Sequence, residues 1–287
     1  MWTASRARSS ILASPPSSPA ERARTTPELS PAAPGPPRAV GWLLPLAGLA
    51  AWELGARAGA LPENWFPAPS RVLSTLLEIC TGGSLARHVA ATSLRVAAGF
   101  ALGAAFGTGV GLATGRSRRL HGLLDPSLQA LRGIPSLAWV PLFLLWLGIG
   151  EASKVALIAL GAFFPVYLNL TSGLAALDAR LLEVGRLFGY RGLRLVRAIL
   201  IPATLPAYFA GLRSGLGLAW MFVVAAELMG ASGGLGYLLV DGQTTSRPEL
   251  ILAAILIFAA LGQLSDRCLV ALSARTQRWR APADPAA

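Results

Sequence analysis

Residues 183–202 read E-V-G-R-L-F-G-Y-R-G-L-R-L-V-R-A-I-L-I-P, with four arginines, one glutamate and three glycines set between two long apolar segments. Charge of that density is too costly for hydrocarbon, where a single central arginine costs about 3 kcal/mol on insertion scales. The stretch therefore reads as a loop outside the bilayer, and its apolar neighbours as helices that cross it. Upstream lies a span over about Val155–Leu174, with Pro165 and Asn169 inside. Downstream lies one over about Ala207–Met229.

The rest of the chain fits that frame. Only 14% of its 287 residues are charged, 54% are hydrophobic and the mean hydropathy is +0.56. Soluble domains carry roughly 25% charged residues, so the deficit points to a membrane protein. Further spans of the ~20 residues that a bilayer requires are expected over about Val40–Gly59, Thr92–Thr114, Ile134–Ile149 and Leu250–Leu272. The third is short, and is expected to borrow from Leu120–Leu131 or to kink at Pro141. The fold class is all-α, a polytopic membrane protein with six transmembrane helices. Gly99, Gly103, Gly107 and Gly111 recur every four positions in the second span, a ridge that predicts close helix approach. In the first span Glu53 and Arg57 are spaced to pair. Residues 69–80 are expected to form a surface helix.

Net charge is +11, and all the basic residues but Lys154 are arginine. Placing the N-terminus inside puts Arg116, Arg118, Arg119, Arg132, the loop arginines and the C-terminal arginines on the cytoplasmic side. The outside loops keep Arg71, Arg87, Lys154 and Arg247, with Arg95 near an edge. That asymmetry is the positive-inside pattern, with both termini cytoplasmic. It accounts for the basic balance without nucleic acid, which would need a basic face interleaved with aromatics. Cys80 and Cys268 fall on opposite sides and are not expected to pair.

Domain boundaries follow. Residues 1–39 form a Pro-, Ser- and Arg-rich cytoplasmic tail, in which no long apolar core follows the early arginines as a signal peptide would need. Residues 40–84 hold the first span and a periplasmic interfacial segment. Residues 85–272 form the core transmembrane domain, with the polar loop at 175–206. Residues 273–287 form a cytoplasmic tail.

No phosphate-cradling G-x-x-x-x-G-K-[ST] occurs, and Lys154 follows Ser153 rather than glycine. No nucleophile elbow, zinc-ligand spacing or cysteine cluster is present. No catalytic residue, metal site or cofactor is expected. Two carboxylates fall in or near spans, Glu227 and Asp266. Asp266 beside Arg267 reads as interfacial or paired. For Glu227 a functional role and a paired interfacial one both stand open.

The loop has its own logic. Leu181, Leu182, Leu187 and Leu193 among the arginines suit a short amphipathic helix, a turn at Gly189–Gly192, and a second helix returning at Pro202 and Pro206. Such a knob can dock in a partner's groove or rest on anionic lipid.

The spacing Glu183, Gly189, Ile199 and Pro202 resembles the coupling loop of the membrane subunit of ABC importers: Glu-Ala-Ala, three residues, Gly, nine residues, Ile-x-Leu-Pro. Val184 and Gly185 stand at the two alanines and Ile201 at the leucine. The resemblance extends over about residues 40–280. It runs through L-D-P-S-L-Q-A-L-R-G-I-P-S-L-A-W-V-P, S-K-V-A-L-I-A-L-G-A-F-F-P-V-Y-L-N, V-A-A-E-L-M and G-G-L-G-Y. These are similar to the alkanesulfonate, taurine and nitrate branch, and L-G-Q-L-S-D to its aliphatic sulfonate permeases. The resemblance implies a type I importer permease fold, with Glu183, Gly185, Gly189, Ile199 and Pro202 coupling to an ATPase. It implies two ATPase copies, a periplasmic or lipid-anchored substrate-binding protein, a second permease copy as homodimer, and surrounding membrane lipid. It implies a non-catalytic transport subunit in the cytoplasmic membrane, carrying an aliphatic sulfonate, taurine, nitrate or another small anion. A secondary transporter would show an inverted repeat of broken helices. The prolines near 135–141 have no matched partner segment.

Overall fold

A computed structural model describes residues 42–277. The expected 1–39 tail and the end of the C-terminal tail lie outside them. The chain divides into two units, Met1–Ala51 and Trp52–Ala287. Of the first, only the start of one helix is described.

All regular structure among the described residues is helical. The helices are α1 (Leu43–Arg57), α2 (Pro69–Thr81), α3 (Ser84–Arg116), α4 (Arg118–Arg132), α5 (Val140–Leu147), α6 (Glu151–Ala175), α7 (Ala179–Leu187), α8 (Gly192–Leu195), α9 (Ile201–Leu228), α10 (Leu235–Thr244) and α11 (Pro248–Thr276). Glu53 pairs with Arg57 as its spacing predicts, and also accepts hydrogen bonds from the Ser70 backbone N–H and hydroxyl. Ser70 stands in the first turn of α2, where amide hydrogens lack helical partners, so Glu53 caps a helix from a distance.

At the centre α6 lies between α3 and α9. The glycine ridge of α3 makes the first contact possible. A Cβ at Gly103 would collide with the Ala159 carbonyl and lie 2.8 Å from the Ala162 side chain. One at Gly107 would lie 2.8 Å from the Phe163 carbonyl. Gly99 meets Ile158 and Gly111 meets Leu170. Partner numbers rise together, so α3 and α6 run parallel. On its other side α6 meets α9 antiparallel: Gly161 against Phe222, Gly215 against Ala162, Gly211 against Asn169. In lipid no hydrophobic force pulls helices together, so close backbone approach through small residues supplies the dispersion energy instead. Ile158, Ala162, Val166, Tyr167, Ala219 and Val223 are fully buried there.

Among the described residues, four helices are long and apolar enough to cross a bilayer: Ser84–Arg116, Glu151–Ala175, Val196–Leu228 and Pro248–Thr276. They contain the second, fourth, fifth and sixth expected spans. The third emerges, as expected, with Leu120–Leu131 joined to its short apolar stretch. Because α3 and α6 run parallel, residues 117–150 must travel back along their length. They do so as two helical pieces bent by 90°. The break falls between Gly133 and Ser136 rather than at Pro141, which sits in the first turn of α5, where its missing N–H costs nothing. The first expected span emerges as α1, 15 residues, or about 22 Å of helix at 1.5 Å per residue. That is short of the ~30 Å hydrocarbon thickness. Among the described residues, four single helices and one bent pair are therefore long and apolar enough to cross, against the six crossings expected.

Candidate functional site

Two constellations stand out, one in the polar loop and one at the opposite end of α9. The loop forms a helical elbow. Asp178 opens α7, its carboxylate accepting the Arg180 backbone N–H at 2.9 Å. At the other end Gly189 takes φ +79°, and the Tyr190 N–H returns to the Gly185 carbonyl at 3.0 Å. A left-handed residue just past a helix satisfies its last carbonyls, and glycine reaches that conformation without Cβ strain. The turn folds the second arm back. A Cβ on Gly185 would run into Ile199 Cδ1 and lie 2.9 Å from Leu195 Cδ1. Gly185 and Ile199, fourteen positions apart in sequence, are thus in direct contact, and the missing side chain lets the two arms touch.

Pro202 lies beside them, lining a shallow hollow with Leu181, Ala198, Ile199 and Ala203. Having no N–H to return to Ala198, Pro202 interrupts the helical ladder. The residues before it, Val196–Leu200, widen into a single π turn, with the Ile201 N–H on the Val196 carbonyl. Such turns occur often at functional sites. The elbow therefore runs into α9 with no loop between them. Glu183 behaves differently from the other four predicted residues. It is exposed and has no ion-pair partner among the described residues. It shares the outer face with Val184, Leu187 and Phe188, the last two about 80% exposed or more, and with exposed Arg186 and Arg191. Apolar side chains beside cations that have no ion pair among the described residues suit a partner's groove.

At the far end of α9, Glu227 is fully buried. Its carboxylate accepts from the Thr92 hydroxyl at 2.8 and 3.1 Å, from Arg95 Nη1 at 2.7 Å and from the Gly236 N–H at 2.7 Å. Arg95 is held on three sides. It meets Glu227, makes a two-pronged pair with Glu151 at 2.6 and 2.7 Å, and donates to the Gly233 carbonyl at 2.6 Å. Lys154 joins Glu151 at 3.0 Å. Thr92 also accepts the Leu235 N–H, and His88 Nδ1 the Gly234 N–H. Two carboxylates thus balance two cations, and buried charge of this kind persists only when so paired. The turn Gly233–Gly236 sits directly on the carboxylate. At Gly234 φ is +125°, and a Cβ there would lie 2.5 Å from Glu227 Oε1.

Sequence reading singled out Glu227 and left its role open. It missed Thr92, Arg95, Glu151 and His88 as partners. The available signal was the glycine-rich turn six residues after a carboxylate in an apolar helix. Asp266, read as interfacial or paired, pairs with Arg213 rather than its neighbour Arg267, at 2.6 and 2.8 Å. Cys80 and Cys268 are exposed and unpaired. Among the described residues no group of histidine, cysteine and carboxylate side chains could hold a metal ion.

Comparison with known proteins bears on what these constellations serve. Residues 103–278 match the family described as binding-protein-dependent transport system inner membrane component. A Bacillus subtilis (strain 168) protein that carries the name aliphatic sulfonates transport permease protein SsuC is 41% identical over 240 residues, 84% of this chain and 87% of its own. Its Escherichia coli (strain K12) namesake is 36% identical over 242 residues, 84% of this chain and 92% of its own. The E. coli taurine transport system permease protein TauC is 32% identical over 236 residues, 80% of this chain and 86% of its own. This chain belongs to the family of binding-protein-dependent transport system inner membrane components.

Proposed function

We propose that, as the permease of an ATP-driven importer, this chain carries an aliphatic sulfonate into the cell, and that the elbow is the part an ATPase subunit moves. The single observation behind the coupling role is continuity: the elbow's second arm runs into α9 through the π turn without a break. α9 has 28 residues, or about 42 Å at 1.5 Å per residue. It packs closely on α6 through Gly161, Gly211 and Gly215 and ends in the Glu227 cluster. A push on the elbow is therefore delivered along one helix to the other end of the bundle. The sulfonate reading is supported by the names of the two SsuC relatives.

In this reading Glu183 and the exposed apolar residues of α7 touch the ATPase. Gly185, Ile199 and Pro202 clamp the elbow to α9, and Gly189 sets the angle between its arms. Two ATPase copies and a second permease copy complete the complex, and a substrate-binding protein delivers solute from outside. The elbow and both termini lie on the cytoplasmic side, in keeping with the distribution of arginines. No ATP chemistry is assigned to the chain itself.

The test is ATP hydrolysis by the complex reconstituted with its ATPase and binding protein. Glu183→Lys reverses the charge of the docking face and Gly189→Asp strains the turn. Both are expected to abolish the stimulation by loaded binding protein while the permease still inserts. Unchanged stimulation in both overturns the coupling role. For orientation, Arg191→Cys on a background with Cys80 and Cys268 replaced by serine should react with an impermeant thiol reagent only from the cytoplasmic side.

A further inference from the structure

We infer that a cavity between the bent pair α4–α5 and the central helices α6 and α9 is the place where the sulfonate sits in the permease, its head on Arg132 and its tail against Trp139, Phe164 and Phe222. This deepens the proposed function and rests on it. The cavity has a volume of about 320 Å³. That is roughly twice the 150 Å³ known to hold a benzene ring, and within the range of small-molecule sites. Besides the three aromatics, Leu168 and Leu218 line it, and the remaining wall is aliphatic, glycine or proline. Among the described residues, Arg132 is the one charged side chain of its lining.

Depth separates this cavity from the basic surface. Leu160 and Leu168 lie nine and seventeen residues into α6, about 14 and 26 Å from its start. Phe222 and Leu218 lie six and ten residues from the end of α9, about 9 and 15 Å. These positions fall within the ~30 Å of hydrocarbon. Arg132 was expected in an inside loop, yet it borders a cavity lined by residues of the middle of the spans.

Charge decides the class of ligand. Three cations of the spans are neutralised: Arg95 by Glu151 and Glu227, Lys154 by Glu151, Arg213 by Asp266. Arg267 in α11 has no ion pair among the described residues, but it does not line this cavity. Arg132 has no carboxylate partner among the described residues, and makes only a 3.4 Å contact with Gln129 Oε1. Arg132 is an exposed residue of the lining, so an arriving anion can reach its guanidinium. A guanidinium presents several donors in one plane, which suits the clustered oxygens of a sulfonate. The apolar wall suits an alkyl or aryl tail. Nitrate has no tail to place there. Taurine would bring an ammonium into a lining with no carboxylate, an uncompensated burial. The cavity thus favours a plain alkane- or arenesulfonate over both.

Site-specific protection tests this. The full-length chain in lipid nanodiscs, with Cys80→Ser and Cys268→Ser, carries Leu168→Cys, or Phe164→Cys as a second reporter. Its modification rate by a small thiol reagent is followed with hexanesulfonate, ethanesulfonate, taurine or hexyltrimethylammonium present. Hexanesulfonate is expected to slow modification at least tenfold. Each methylene removed should raise the concentration needed about fourfold. Taurine and the cation with the same tail should not protect, and Arg132→Gln should abolish protection. Equal protection by the hexyl cation, protection by taurine matching ethanesulfonate, or protection surviving Arg132→Gln would each overturn the site. Uptake by the complete reconstituted transporter separates the two readings. Hexanesulfonate uptake without protection at either reporter removes the site and leaves the sulfonate importer standing. Absence of uptake for every sulfonate removes the importer reading itself.

Discussion

Replacing Glu227 by glutamine probes the polar cluster most directly. The substitution conserves volume, so no cavity complicates it. It removes a buried negative charge and turns one oxygen into an amide nitrogen. Oε1 receives Arg95 and the Thr92 hydroxyl, while Oε2 receives the Gly236 N–H. With the NH2 on the Oε1 side it faces the guanidinium; on the Oε2 side it faces the Gly236 N–H. Either way two donors confront each other, and Arg95 loses its only fully buried counter-charge. Breaking a buried ion pair by removing one partner costs about 3–5 kcal/mol. At about 2–4 °C per kcal/mol for a chain of this size, the thermal midpoint should fall by roughly 6–20 °C. The assay is loss of the monodisperse peak on size-exclusion chromatography after heating in detergent. Glu183→Gln, at an exposed carboxylate with no ion-pair partner among the described residues, is the control and should shift the midpoint by no more than about 2 °C. A Glu227→Gln shift no larger than the control's would refute the cluster as a structural lock. A double-mutant cycle with Thr92→Val should show coupling of about 0.5–3 kcal/mol, since both residues share one network.

Two further predictions use the same assay. Gly103→Leu drives a side chain into the Ala159 carbonyl and should lower the midpoint sharply. Gly109→Ala adds a methyl where nothing lies within 4 Å, and should leave stability unchanged or raise it by up to about 1 kcal/mol through helix propensity; equal effects would show that the ridge does not set helix spacing. Asp266→Arg alone should destabilise by placing two arginines together. Adding Arg213→Asp should recover most of the loss, because the two-pronged geometry can be re-formed with its ends exchanged; no recovery would mean the pair contributes nothing.

Much of the fold was legible because membrane helices announce themselves locally. Twenty apolar residues, arginines gathered between them and glycines every four positions are properties of short windows. The elbow was legible for the same reason: α7, its glycine turn and the returning arm each follow from neighbours in sequence. The bent pair was legible only in part: its short apolar half pointed to a contribution from Leu120–Leu131, but the place of the break was not legible. Its break depends on α3 and α6 lying parallel, which forces residues 117–150 to return, and nothing within that segment states where its partners lie. The spacing rule for Glu53 and Arg57 found their pair, four residues apart. No such rule reaches the 135 residues between Thr92 and Glu227.

Sequence alone thus determined that this chain lives in a bilayer, where its helices fall, and that a basic elbow interrupts them. Those features follow from the cost of placing charge and unpaired backbone in hydrocarbon, which each segment meets by itself. Only the tertiary structure decided which charges neutralise one another, that Gly185 meets Ile199, and that Arg132 borders an apolar cavity with no counter-ion among the described residues. Ion pairing and cavity walls depend on distances between segments far apart in the chain, and the packing of α3, α6 and α9 sets those distances.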